Sequence, residues 1–165
     1  MMGMPNAGAG LSPFALLWPT FTLVAVIMAV WVVLFVRRMA HIRKNPPKAE
    51  DFATGEAAMR YFQPVEMPAN NLANLFEMPV LYFALVPLLL MFRQVGTAQL
   101  ALAWMFVILR ATHSFIHIGP NVVKARFTVY LASVAVLVAM WIGFFVDALA
   151  GSRLYAIHSG LMAQL

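Results

Sequence analysis

The sequence predicts an all-α integral membrane protein, a four-helix antiparallel bundle whose helices all cross the bilayer. Two observations predict it. Of the 165 residues, 63% are hydrophobic and only 10% charged, with a mean hydropathy of +0.84, whereas soluble domains are about half apolar and about a quarter charged. The apolar residues also fall into runs close to the roughly 20 residues that a helix needs to span the hydrocarbon core. These runs are continuous and not alternating, which argues against a transmembrane β-barrel and for helices, which satisfy their own backbone groups in lipid. No Pro/Gly/Ser tract or internal repeat divides the chain, so residues 1–165 read as a single membrane domain.

Four spans succeed one another along the chain. Residues 14–36 and 127–146 contain no charged residue, residues 70–92 contain only Glu77, and residues 98–118 carry Arg110, His113 and His117 toward their end. The segment before the first span, MMGMPNAGAGLSP, has no basic residue, and the apolar run after it is longer than a signal-peptide core, so the first span is expected to stay in the mature protein. Arg37, Arg38, Arg43, Lys44, Lys48 and Arg60 come after the first span, and Lys124 and Arg126 after the third; the opposite ends offer Arg93 and Arg153. By the positive-inside rule the two basic connections face the cytoplasm and both termini face the other side, with a bacterial inner (plasma) membrane as the expected location. The same bias, with attraction to anionic lipid head groups, accounts for the net charge of +5, so nucleic acid is not an expected partner. Cysteine is absent, which excludes disulfides, thiolate-held iron–sulfur clusters and a cysteine nucleophile. Any thiol chemistry must use a thiol that arrives with a ligand.

Helical spacing then sorts the intramembrane polar residues. Asn70, Asn74 and Glu77 share one helix face, and Arg110, His113 and His117 share another. Both stripes lie in the halves of their spans that adjoin the basic connections, where Arg126 and Tyr130, one turn apart, can join them in one pocket. Such a pocket suits a ligand that carries both signs of charge. Two plainer readings stand beside it: Glu77 pairs with Arg110 simply to fix helix packing, and Arg37, Arg38 and Arg43 are a cytoplasmic flank. His41 and His158 read as interfacial residues, and the 12 methionines as adaptable packing. Pro79 and Pro87 remove the donors that would serve Leu75 and Phe83, so kinks are expected there.

The stretch NLFEMPVLYFAL, with RATHSFIHIGPNVVKARFTVY after a hairpin, resembles the MAPEG family, the membrane-associated proteins in eicosanoid and glutathione metabolism. The resemblance covers nearly the whole chain and combines Asn-x-x-Glu, Arg-x-x-His and Arg-x-x-x-Tyr. It implies a homotrimer, with glutathione as co-substrate bound between subunits near the cytoplasmic face and a lipophilic substrate entering from the lipid bilayer. The implied activity is that of a microsomal-type glutathione S-transferase or peroxidase. On this resemblance Asn74 and Glu77 hold polar groups of the peptide, Arg110 supports Glu77, and His113 orients a carboxylate or backbone group. His117 stands where tyrosine is frequent, Tyr130 lines the site, Arg38 reaches a glutathione carboxylate, and Arg126 is the catalytic residue that stabilises the thiolate.

Three positions depart from the pattern. Asn70 replaces an expected arginine, Leu72 replaces a polar residue, and Phe127 comes after Arg126 where a hydroxyl can occur. Losing an arginine at residue 70 removes a bidentate partner for a ligand carboxylate and puts glutathione itself in question. Two other functions therefore stay open: a noncatalytic trimeric membrane subunit, and a metal- or haem-binding protein using His113, His117 and Glu77.

Overall fold

The computed structural model describes the backbone of residues 12–162 and the side chains of residue 12 and residues 14–152. The side chains of Arg153 and His158 lie outside that description. Among the described residues there are helices and no strands: α1 Leu17–Lys44, entered through a 3-10 turn at Pro13–Leu16, α2 Gly55–Phe62, α3 Met67–Leu75, α4 Pro79–Met91, α5 Thr97–Ile118 and α6 Val123–Met162. Four stretches are long and apolar enough to cross a membrane: Phe14–Lys44, Met67–Met91, Thr97–Ile118 and Val123–Ser152. The protein is an integral membrane helical bundle.

The helices differ from the predicted spans at their ends. α1 runs on through the basic flank to Lys44, because arginine and lysine are good helix formers and their charge is favourable at a helix C-terminus. Pro46 and Pro47 then forbid continuation. α6 begins at Val123, so Lys124 and Arg126 stand on the helix and not in a connection. Thr54 caps α2, its hydroxyl oxygen accepting from the Ala57 backbone N–H at 3.1 Å.

The second span is two helices. α3 ends at Leu75, Phe76–Met78 form a turn, and Pro79 opens α4. Proline has no N–H to give the Leu75 carbonyl and its ring crowds that oxygen, so the helix restarts there. Pro87 is accommodated inside α4.

The apolar core lies at the end of the bundle opposite the basic connections. It is built from Leu16 and Leu23, from Tyr82, Leu85 and Leu89 on α4, from Ala103, Phe106 and Val107 on α5, and from Leu137 and Met140 on α6. The Tyr82 ring stacks on Phe106 at 5.1 Å, and its hydroxyl lies 3.1 Å from that of Thr20 on α1. Outward faces carry exposed Phe21, Met28, Trp31, Ile108 and Phe145, apolar enough to need lipid as their solvent.

One buried polar contact crosses this core. Gln99 donates from Nε2 to the Met140 carbonyl at 3.0 Å. A Cβ on Gly143 would lie 2.9 Å from that nitrogen, so the glycine makes room for the amide. Interhelical hydrogen bonds in membranes contribute about 0.6 kcal/mol on average and up to about 1.7. Gly143→Ala is expected to lower stability by about 1 kcal/mol in detergent unfolding, and adding Gln99→Leu to cost less than the sum of the two changes, as a shared contact requires.

Candidate functional site at the basic end of the bundle

The polar groups gather where the apolar core stops. On α5, Arg110, His113, Ser114 and His117 recur at helical spacing and are all buried. The Arg110 guanidinium sits 4.9 Å from the centre of the Tyr130 ring, and none of its three nitrogens has a hydrogen-bond partner. The His113 ring also lies beside Tyr130, 5.8 Å away between centroids and tilted to it. His113 Nδ1 is 3.1 Å from the Arg126 carbonyl. A carbonyl only accepts, so Nδ1 carries a proton, and in the neutral imidazole Nε2 is then the acceptor. That Nε2 is buried without a partner.

Asn74, near the end of α3, donates from Nδ2 to Glu77 Oε2 at 3.3 Å, while its Oδ1 is buried and unpartnered. Asn74, His113, Val123, Arg126, Phe127 and Tyr130 line a cavity of about 270 Å³. Arg126 donates from Nη1 to Asn121 Oδ1 at 2.8 Å, and among the described residues no carboxylate forms an ion pair with it. A half-buried cation and two side chains that each carry an acceptor without a donor thus line one small space. That combination suits a ligand bearing an anion and N–H donors.

The MAPEG family model matches residues 16–146, which include every member of this cavity. The chain belongs to the MAPEG family. No curated protein and no solved structure matches it.

Within one copy of this MAPEG chain, four of the expected residues share the cavity: Asn74, His113, Arg126 and Tyr130. Arg110 backs it through Tyr130. His117 lies one turn further along α5, its ring 5.5 Å from that of His113 and edge-on to it. Arg38 is placed elsewhere, beside Glu66 at 3.8 Å and over the Phe62 ring at 4.7 Å.

The expected pairing of Glu77 with Arg110 is not formed: among the described residues no contact within ion-pair distance joins them. The reason is the break before Pro79. Glu77 leaves the helical register of Asn70 and Asn74, its side chain is exposed, and Asn74 is its hydrogen-bond partner. The supposed stripe is also displaced, because Asn70 is exposed while Asn71 is fully buried, with both amide atoms unpartnered. Among the described residues no three His, Asp or Glu side chains converge as a metal site.

Asn121 is the member that sequence reasoning missed. Its backbone has φ 48°, and its N–H donates to the Ile116 carbonyl at 2.7 Å. Its side chain holds Arg126 and lies 3.4 Å from Met67 Sδ at the start of α3. The signal was Gly-Pro-Asn between two helical patterns, because asparagine tolerates the left-handed conformation that a tight connection needs. Asn121→Ala is expected to be less stable than Asn121→Gly by about 1 kcal/mol in detergent unfolding, since only alanine suffers the left-handed strain. Both variants lose the Arg126 contact.

Proposed function

We propose that this MAPEG protein is a glutathione-dependent transferase or peroxidase acting on lipophilic compounds that reach it through the bilayer. The observation that carries the reading is Arg126, a guanidinium without a carboxylate partner among the described residues, on the wall of a cavity with two unpartnered acceptors. A free thiol titrates near pH 8.5, so only a few per cent is thiolate at neutral pH. A guanidinium beside it favours the anion and lowers that pKa, and arginine keeps its charge when partly desolvated. The N-terminus of α6, which begins at Val123 on the cavity wall, adds a positive dipole end. Asn74 Oδ1 and His113 Nε2 accept from N–H groups of the peptide.

The thiolate then attacks an electrophilic carbon, forming a C–S bond and releasing the leaving group. With a hydroperoxide it attacks oxygen instead, breaking the O–O bond to give a sulfenic acid and, after protonation, an alcohol. A second thiol converts the sulfenic acid to a disulfide and water. In both cases positioning and charge stabilisation supply the acceleration.

The unit of function in this reading is a homotrimer. Glu77 is exposed on the single chain, yet it belongs to the spanning stretch Met67–Met91. A carboxylate facing hydrocarbon costs about 3 kcal/mol on insertion scales, so this face needs protein or a polar ligand over it. A single-chain cavity of about 270 Å³ is also small beside the roughly 300–1,000 Å³ of ligand pockets, as expected of one wall of a shared site. Arg38 and Glu77 then act across the subunit boundary, with the basic connections on the cytoplasmic side of a bacterial plasma membrane.

Titration calorimetry with glutathione is expected to show saturable binding, weakened about tenfold or more by Glu77→Gln, an effect of about 1.4 kcal/mol. The thiolate absorbance of bound glutathione should persist below pH 8.5 and fade as pH drops through the lowered pKa. In Arg126→Ala that transition should move up toward about pH 8.5, with trimers retained by native mass spectrometry. Absence of binding at millimolar glutathione would instead favour a noncatalytic trimer subunit, with Asn70 marking the lost carboxylate contact.

A further inference from the structure

A second cavity, away from Arg126, lies between α1 and α5. It measures about 420 Å³ and is walled by Val26, Ala29 and Val30 on α1 and by Ala111 and Phe115 on α5. Alanine at facing positions keeps the two helices from filling the space between them. Phe115 is 74% exposed, so the groove opens sideways toward the bilayer.

Its two polar members are set in depth order. Arg37 closes the end nearest the basic flank, giving one donor to the Ile118 carbonyl at 3.3 Å and leaving the rest of its guanidinium free of other hydrogen bonds among the described residues. One turn deeper, Ser114 lines the groove; the residue is 4% exposed and its hydroxyl has no partner. A helical serine ordinarily satisfies itself on the carbonyl four residues back, so an unpartnered one on a residue that lines a groove has a donor to spare. From Arg37 to Val26 the wall extends about 16 Å at 1.5 Å per residue. That is close to half the roughly 30 Å hydrocarbon core, the depth of one leaflet.

We infer that this groove binds one anionic phospholipid of the leaflet that adjoins the basic connections. Arg37 takes the phosphate, Ser114 donates to an ester carbonyl about 6 Å deeper, four residues along the helix, and an acyl chain fills the apolar remainder. Charge complementarity selects the occupant: the groove is apolar except at its mouth, which holds the Arg37 guanidinium. Lipid binding here is independent of the thiol chemistry proposed for the other cavity.

The test is native mass spectrometry of the delipidated full-length protein in detergent, titrated with phosphatidylglycerol or with phosphatidylcholine of the same chains, alongside thermal unfolding. Wild type is expected to retain one phosphatidylglycerol per chain and to gain several degrees in its unfolding midpoint, with little response to phosphatidylcholine. Arg37→Gln should weaken that binding about tenfold, as loss of a charge-assisted contact implies. Ser114→Ala should weaken it by a smaller factor, and Ala111→Phe, which fills the groove, should remove it. Arg43→Gln, outside the groove, should leave it unchanged. Equal binding of the two lipids overturns the proposal. So does an Arg43→Gln loss as large as that of Arg37→Gln, which would mean diffuse attraction to the surface. A change in the number of copies on Ala111→Phe would overturn it too, because a neighbouring subunit would then be the occupant.

Discussion

The cost of leaving a polar group unpaired in hydrocarbon is the constraint on which this molecule depends. It selects helices in the first place, since each residue inside them satisfies its neighbour's backbone. It also gives meaning to the exceptions. Arg110, Asn71, Ser114 and the outer nitrogen of His113 are buried with unpartnered atoms, and they lie in the half of the bundle next to the basic connections. In a membrane such atoms call for ligands, waters or neighbouring subunits, and the proposed thiol and lipid sites both take their partners from this set.

Local breaks in helical regularity place these groups. The proline at residue 79 ends α3 and takes Glu77 out of the helical register of Asn70 and Asn74, so that Glu77 is bonded to Asn74 and forms no ion pair with Arg110 among the described residues. The left-handed Asn121 closes the α5–α6 connection tightly enough for Arg126 to stand on the first turns of α6 while its carbonyl reaches His113. One residue thus fixes a guanidinium, and the backbone beside that guanidinium fixes a histidine tautomer. Tyr130, beside both Arg110 and His113, keeps the buried cation against an aromatic face in place of a carboxylate.

The architecture was legible because lipid imposes a length and a composition that no soluble element imitates: all four spans and their order stand in the apolar runs. Helix ends were less legible. Nothing in Arg37–Lys44 opposes a helix, and the hydropathy boundary falls where charge begins and not where hydrogen bonding stops. At the candidate site, Asn74, His113, Arg126 and Tyr130 could be expected together from the helical spacing of the polar residues on each segment and their common depth beside the basic connections. The Glu77–Arg110 pair could not be judged that way, since a broken helix rotates every residue beyond the break, and Pro79 signals a break without giving its angle. Asn71 was hidden for a related reason: adjacent asparagines are equivalent in composition, and only packing decides which one is inside.

The bundle's two ends are held by different means. One end has close-packed leucines, the stacked Tyr82 and Phe106, and the Thr20–Tyr82 hydroxyl contact. The other has the Arg110–Tyr130 contact, the Asn121–Arg126 hydrogen bond and the turn of His113 onto the Arg126 carbonyl. The first end has gaps as well, a groove of about 600 Å³ walled by Met78 and Leu81 and by Val134, Leu137, Val138, Trp141, Ile142 and Phe145 of α6. The two halves therefore differ in what can fill their gaps: an apolar group suits the walls of the first, whereas Arg126, Asn74 and His113 let the second take a polar one.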